Sequence, residues 1–319
     1  MKMKLALVGK FSYRYGRLGS GVFWHIAKNF YVCHTYCKIL YKDVVSHSNI
    51  SVPIWYSMEK LGWAYPPFNM DWILVKRSSD ILNLEKDYDR ILLFSNVLTL
   101  VEDDFFLPNS HKFGTLVDEP KPFTSPSNLE KIVFKLKIST VISHFPYPGA
   151  SHVPVVYVPE LFKYIQPKRR FSYFVEKRCD MQRDIIDLMK TYRFNMNREN
   201  WKGRKTSTYS DFYRQLGKSR WVFALDKKNS AGQIIAEASL LGVPSFTYTE
   251  KTNGQFVLPS LLRLDSNKKK SVVLEQITQV ISMFHNNKTA YNDLSLILRR
   301  NAIKRYHEYH IKNYLSFWV

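Results

Sequence analysis

The chain has 319 residues, 45% of them hydrophobic and 15% aromatic, which is apolar surface enough for sizeable cores and excludes global disorder. Its 47 Lys and Arg against 27 Asp and Glu leave a formal net charge of +20, a bias toward a polyanionic partner: DNA, RNA, anionic lipid or nucleotide phosphates. No apolar run reaches the roughly 18 residues that a membrane span needs, and the N-terminus reads as a strand rather than a secretory signal, so no transmembrane segment and a cytoplasmic protein are expected.

The first element in chain order is "KLALVG" (4–9), a short apolar run ending in Gly, as expected of a strand buried on both faces. The loop "GKFSYRYGRLGSG" (9–21) follows, and then "VFWHIAKNF" (22–30), with apolar residues at helical spacing. "GRLGSG" lacks the tight G-x-G spacing of a dinucleotide fingerprint. The three cysteines, Cys33, Cys37 and Cys179, are too few for a disulfide framework. "CHTYC" (33–37) invites a zinc reading, but no second Cys or His cluster completes four ligands, so no metal site and buried thiols in a strand are expected.

Further strands are expected at 72–75, 90–94, 113–118, 140–144 and 155–158, with helical patterns between several of them, such as "SNLEKIVFKLK" (127–137). "PELFKYIQPKRR" (159–170) is Pro-flanked and basic, suited to a linker. The alternation then restarts with "FSYFV" (171–175), a helix through "MQRDIIDLMKTY", "RFNMN", and the strand "RWVFALD" (220–226). The helix "AGQIIAEASLLG", the strand "VPSFTY" and the helix "SVVLEQITQVISMF" complete it, before an amphipathic, aromatic-rich C-terminal segment suited to packing across a domain surface. Such alternation implies two successive α/β halves with mostly parallel sheets, hence two Rossmann-like domains facing a cleft, with ligands outside the carboxyl ends of the strands.

Charge is unevenly spread. Residues 161–220 hold 16 basic and 6 acidic side chains, a surplus of 10 and half of the net charge. The clusters "KRR" (168–170), "RENWKGRK" (198–205) and "NKKK" (267–270) are candidate phosphate contacts, with Lys202, Arg204 and Lys205 the strongest. In the first loop, Arg14 and Arg17 with Tyr13 and Tyr15 suit backbone and stacking contacts with nucleic acid. Packing of these aromatics in the core is the competing reading.

"LDKKNSAGQIIAEASLLGVPSF" (225–246) is the most informative stretch. A strand ends at Asp226, a polar turn follows, and Gly232 lies near a helix start whose N–H groups suit a phosphate or sugar hydroxyl. Glu237 falls inside an otherwise apolar helix, where its carboxylate needs a hydrogen-bond partner. This stretch resembles the C-terminal half of glycosyltransferases with the two-domain GT-B fold. The resemblance implies that Glu237 binds the ribose hydroxyls of a donor nucleotide and that the loop with Lys227, Asn229 and Gly232 faces sugar and diphosphate. Retaining members often carry a Glu where this chain has Asn229, which favours an inverting reading.

"DYDRILLFSN" (87–96), "VDEPKPFTS" (117–125), "QRD" (182–184) and "DKKN…E" (226–237) also occur in an order and spacing similar to those of the T-even phage DNA β-glucosyltransferase family. That resemblance implies Asp118 as general base, Arg178 and Arg183 on the donor diphosphate, and Glu237 on the nucleotide. An Arg that the family carries three residues before that Glu is Ile234 here, so Lys227 or Lys228 would supply the contact. It further implies a UDP-sugar donor (UDP-glucose or a related one), Mg²⁺ at most in solution and not protein-bound, double-stranded DNA with hydroxymethylated bases as acceptor, and a monomer in a phage-infected host cell. Domains would run 1–160 for acceptor, 161–300 for sugar nucleotide, and 301–319 as a C-terminal helix packing back on the first.

The residue types fit this chemistry independently. An acceptor hydroxyl needs a positioned carboxylate as base, and a departing diphosphate needs cations and N–H dipoles. Pro120, Pro122 and Pro126 fix φ at three places after Asp118 and limit its drift, with Glu119 the rival base and a Pro-rich connecting turn the plain alternative. His144 is a candidate acceptor or phosphate contact, or a structural histidine. Two other functions remain open at this stage: a GT-B enzyme acting on a lipid-linked or polysaccharide acceptor at a membrane surface, and a catalytically inactive nucleic-acid-binding protein on the same scaffold.

Overall fold

The computed structural model describes residues 4–9, 31–37, 71–75, 78–94, 105–117, 134–143, 149–152, 162, 164–166, 170–176, 179–196, 209–227, 232–249 and 256–306. The chain divides into two compact units, Met1–Tyr157 with Glu308–Val319, and Val158–His307.

In the first unit, β1 (Lys4–Gly9), β2 (Tyr31–Cys37), β3 (Asp71–Val75), β4 (Arg90–Phe94), β5 (Phe113–Val117), β6 (Thr140–Ser143) and β7 (Ser151–His152) form one parallel sheet in the order β3-β2-β1-β4-β5-β6-β7. This is the doubly wound order, which reverses direction between β1 and β4. The short helix α1 (Ser78–Asn83) and a following 3-10 turn bring Ile81 and Leu84 onto strand residues Ala6, Val8, Ile91 and Leu93. Phe105, Leu107, Phe113, Leu136 and Ile138 complete that core. The expected strand at 155–158 and helix at 22–30 lie outside the described residues.

The second unit contains β8 (Ser172–Val175), α2 (Gln182–Thr191), β9 (Asn195–Met196), α3 (Tyr209–Lys218), β10 (Ser219–Ala224), α4 (Gln233–Leu240), β11 (Ser245–Tyr248), β12 (Arg263–Leu264), α5 (Lys270–His285) and α6 (Lys288–Tyr306). Its parallel sheet runs β12-β11-β10-β8-β9, so the winding reverses between β8 and β10. Both faces are covered: every residue of β11 is buried, and Trp221 of β10 meets Phe246, Phe284 and Tyr291 at ring separations of 5.4, 6.2 and 5.5 Å. Phe223 stacks on Phe246 at 5.3 Å. Burying each such ring contributes about 1.5–3 kcal/mol. The C-terminal helix runs unbroken through residue 300 to Tyr306, with Leu298, Ala302 and Tyr306 buried.

α4 is buried on all sides, with Ile234 through Leu240 each inaccessible. Its carboxyl end is a Schellman closure: Val243 N–H donates to Ala238 at 2.7 Å and Gly242 N–H to Ser239 at 2.9 Å, with Gly242 at φ +71°. A Cβ at Gly242 would lie 2.8 Å from both Ser295 Oγ and the Tyr164 ring, so glycine is required twice over.

The segment read as a linker is integral to this unit. Phe162 and Arg170 are buried, at 1% and 3% exposure. Arg170 donates to the carbonyls of Leu241 (3.0 Å), Gly242 and Ile165 (2.8 and 3.1 Å). Arg299 donates to the carbonyls of Leu240 and Phe162, and the two guanidinium carbons lie 5.5 and 5.8 Å from the Tyr164 ring centroid. Arg170 is therefore not the phosphate contact that the "KRR" cluster suggested. The last carbonyls of a buried helix need donors, and its negative dipole end favours a cation.

Candidate functional site

The winding reverses between β8 and β10, and the switch point outside their carboxyl ends is the place where such sheets take ligands. The chain leaving β8 is tied across it: Glu176 N–H donates to Phe223 O at 2.9 Å and Asp180 N–H to Leu225 O at 2.9 Å. Leaving β10, the chain passes buried Leu225 and Asp226 to exposed Lys227. α2 and α4, which follow β8 and β10, start at this same edge. Arg183 is exposed in the first turn of α2, and α4 begins at Gly232 in the left-handed conformation (φ 66°, ψ 29°) with no side-chain cap. Three expected donor-side residues, Arg183, Lys227 and Gly232, are thus gathered at one sheet edge by strand order. Lys268, Lys269 and Lys270 follow β12 on that edge, and Lys270 Nζ donates to Asp180 O at 3.4 Å.

Glu237 lies in the second turn of α4 at 3% exposure. Tyr213 Oη donates to its Oε1 at 3.5 Å. Tyr213, on α3, is the residue that sequence reasoning missed. Tyr213 and Leu216 have helical spacing, which could have located the helix, but nothing local says that the phenol meets a carboxylate 24 positions away.

Cys179, also at the β8 exit, is 7% exposed. Burial, with Asp180 and Glu176 nearby, pushes its thiol up to about 11, so it is an inert thiol rather than a nucleophile.

In the first unit, β5 and β6 are parallel and adjacent, with Val117 opposite Ser143. Asp118 and His144 are the next residues in sequence after that pair. Asp118, His144, Arg178, Asn229, Lys228, the loop residues Tyr13, Arg14, Tyr15 and Arg17, and Lys202, Arg204 and Lys205 lie outside the described residues. Among the described residues, no group of three His, Cys, Asp or Glu could hold a metal, and no helix is long and apolar enough to cross a membrane.

No protein-family model and no curated protein matches the chain. Solved structures do, over nearly their whole length. HepE of Anabaena in complex with UDP-glucose is 11% identical, with a TM-score of 0.64 and 98% of each chain covered. An α-glucosyltransferase in complex with UDP-glucose and DNA containing an abasic site is 9% identical, with a TM-score of 0.57 over 99% of each chain. An α-glucosyltransferase in complex with UDP and a 13-mer DNA containing a HMU base reaches 0.61 at 10% identity, also over 99% of each chain. The chain therefore has the GT-B fold of these glycosyltransferases, two Rossmann-like α/β units. The DNA-bound neighbours are α-glucosyltransferases, and the β-glucosyltransferase family that the sequence motifs resemble is not confirmed by them.

Proposed function

We propose that this protein is a UDP-sugar-dependent glycosyltransferase that modifies the hydroxyl of a hydroxymethylated pyrimidine in DNA. The observation that carries the reading is Glu237, a buried carboxylate on the helix that follows β10 at the switch point of the second sheet. Arg183, Lys227 and the backbone at Gly232 share that edge. Burying a carboxylate is costly unless it is hydrogen-bonded, and two adjacent ribose hydroxyls are donors that a carboxylate can accept. The fold shared with UDP-glucose-bound glycosyltransferases supports the donor, and the DNA bound to two of those neighbours, with a net charge of +20, supports the acceptor.

In the reaction, the acceptor hydroxyl oxygen attacks the anomeric carbon as the bond from that carbon to the diphosphate oxygen breaks. The Asp118 carboxylate takes the hydroxyl proton. The nucleoside diphosphate leaves with the bonding electron pair, its charge met by Arg183, Arg178 and Lys227. Attack opposite the leaving group inverts the anomeric centre. A base inside a duplex must be flipped out to reach a carboxylate, which is work for Tyr13, Tyr15, Arg14 and Arg17, while Lys202, Arg204 and Lys205 hold phosphates.

The test incubates the protein with hydroxymethylated and plain DNA and a panel of UDP-sugars, then weighs the digested nucleosides. A mass increase of one sugar, confined to hydroxymethylated DNA, is the expected result; turnover only with a lipid-linked or polysaccharide acceptor would replace DNA as the substrate. Asp118→Asn abolishes transfer while DNA binding persists.

A further inference from the structure

A buried carboxylate that grips a diol must be held in one rotamer, since each freedom left to it is lost again on binding. In this unit a phenol delivered by α3 reaches Glu237. Tyr213 Oη stands 3.5 Å from Glu237 Oε1. A charge-assisted O–H···O bond closes to about 2.5–2.7 Å, so a shift of roughly 1 Å would convert this contact into a strong bond, as ligand-site hydrogen bonds often tighten when occupied.

The phenol is itself held. Its ring lies 4.6 Å from that of Phe162 at an interplanar angle of 47°. Phe162 is 1% exposed, and its carbonyl accepts from Arg299 Nη1 at 2.7 Å. One turn beyond Tyr213, α3 approaches the same 162–170 segment so closely that a Cβ on Gly217 would lie 2.9 Å from Ile165 Cδ1. Tyr213 is therefore clamped between its own helix and a strap that enters the unit near its first residue, Val158.

We propose that Tyr213 is the positioning residue of the donor site: it orients Glu237 to accept both hydroxyls of the donor ribose, with Phe162 holding the phenol. The inference rests on the ribose-binding reading of Glu237. A carboxylate has about four acceptor positions, and the phenol takes one of them on Oε1.

The experiment titrates the full chain with UDP and with its 2′,3′-dideoxy analogue by calorimetry, for the unaltered protein, Tyr213→Phe, Glu237→Gln and the double variant. Tyr213→Phe keeps the ring on Phe162 and so keeps the fold; it loses about tenfold in UDP affinity, none for the dideoxy analogue, and the thermal midpoint stays near that of the unaltered protein. The double variant is no weaker than Glu237→Gln alone. In turnover, the donor KM rises with kcat retained. Equal weakening of both ligands by Tyr213→Phe, or of neither, overturns the positioning role. The reading of Glu237 survives that result if Glu237→Gln still loses UDP affinity selectively. Should Glu237→Gln leave both affinities untouched, or the unaltered chain fail to bind UDP, the ribose reading fails and the inference with it.

Discussion

Helix α4 starts at a left-handed Gly232 with no side-chain cap and ends at Gly242 in a closure crowded with donors. At the carboxyl end, Arg299 takes the carbonyl of Leu240, Arg170 those of Leu241 and Gly242, and Ser295 Oγ donates to Gly242 O at 2.6 Å. At the amino end stands Gly232, and Glu237 follows in the second turn. The protein's own cations fill the carboxyl end of this helix, while its start lies on the edge where a doubly wound sheet takes its ligand. Stability at the carboxyl end and the proposed donor contacts at the start and at Glu237 are thus carried by one short helix.

That contrast is breakable, most severely at the carboxyl end. Arg170→Ala removes donors from the buried carbonyls of Leu241 and Gly242 and the partly buried one of Ile165, and costs about 3–5 kcal/mol of stability by denaturant unfolding. Arg170→Lys recovers little, because an ammonium cannot span the same fork of acceptors. Gly242→Ala, forced to φ +71° with its Cβ against Ser295 and Tyr164, costs about 2–3 kcal/mol in the same assay. Neither variant alters UDP affinity at a temperature where it remains folded. Equal losses in binding and stability would merge the two ends into one function.

Glu237→Gln tests the proposed donor contact. It keeps shape and removes charge, so UDP affinity falls about tenfold, or 1.4 kcal/mol, while unfolding free energy moves by less than about 1 kcal/mol. A stability loss as large as that of Arg170→Ala would make Glu237 a structural group. The smallest effect concerns Cys179, which borders the binding edge yet is buried. Its pKa, raised to about 11, means that thiolate is scarce at neutral pH and grows as pH rises toward that value. Alkylation at Cys179, read by peptide mass spectrometry, is expected to be at least about 100-fold slower at pH 8 in the native protein than in denaturant. Fast native labelling would mean that this edge opens.

Much of this architecture is legible locally. Parallel strands buried on both faces favour apolar-rich runs, and β1, β4, β5, β6, β8, β10 and β11 each lie within two residues of expectation. β9 and β12 have two residues each, too few for any period to register. α3 escaped because its segment, "YSDFYRQLGK", mixes polar residues with a glycine, and that glycine is tolerated because Ile165 packs against it.

The site divides similarly. That Glu237 is an acid in an apolar helix is visible in seven letters around it, and Gly232 and Lys227 follow from a strand ending. "KRR" misled for a physical reason: a run of cations says nothing about which one meets a set of buried carbonyls, and Arg170 does because α4 ends inside the unit.

By itself the sequence determined the class of fold, the approximate position of most strands, the surplus of positive charge and the identity of the buried acid, because each depends on neighbours along the chain. Tertiary structure alone decided the order of strands, hence which loops share an edge, which arginine is consumed by the core, and that a tyrosine on one helix stands beside the glutamate of another. Those depend on pairings between residues tens of positions apart, which hydrophobic periodicity does not encode.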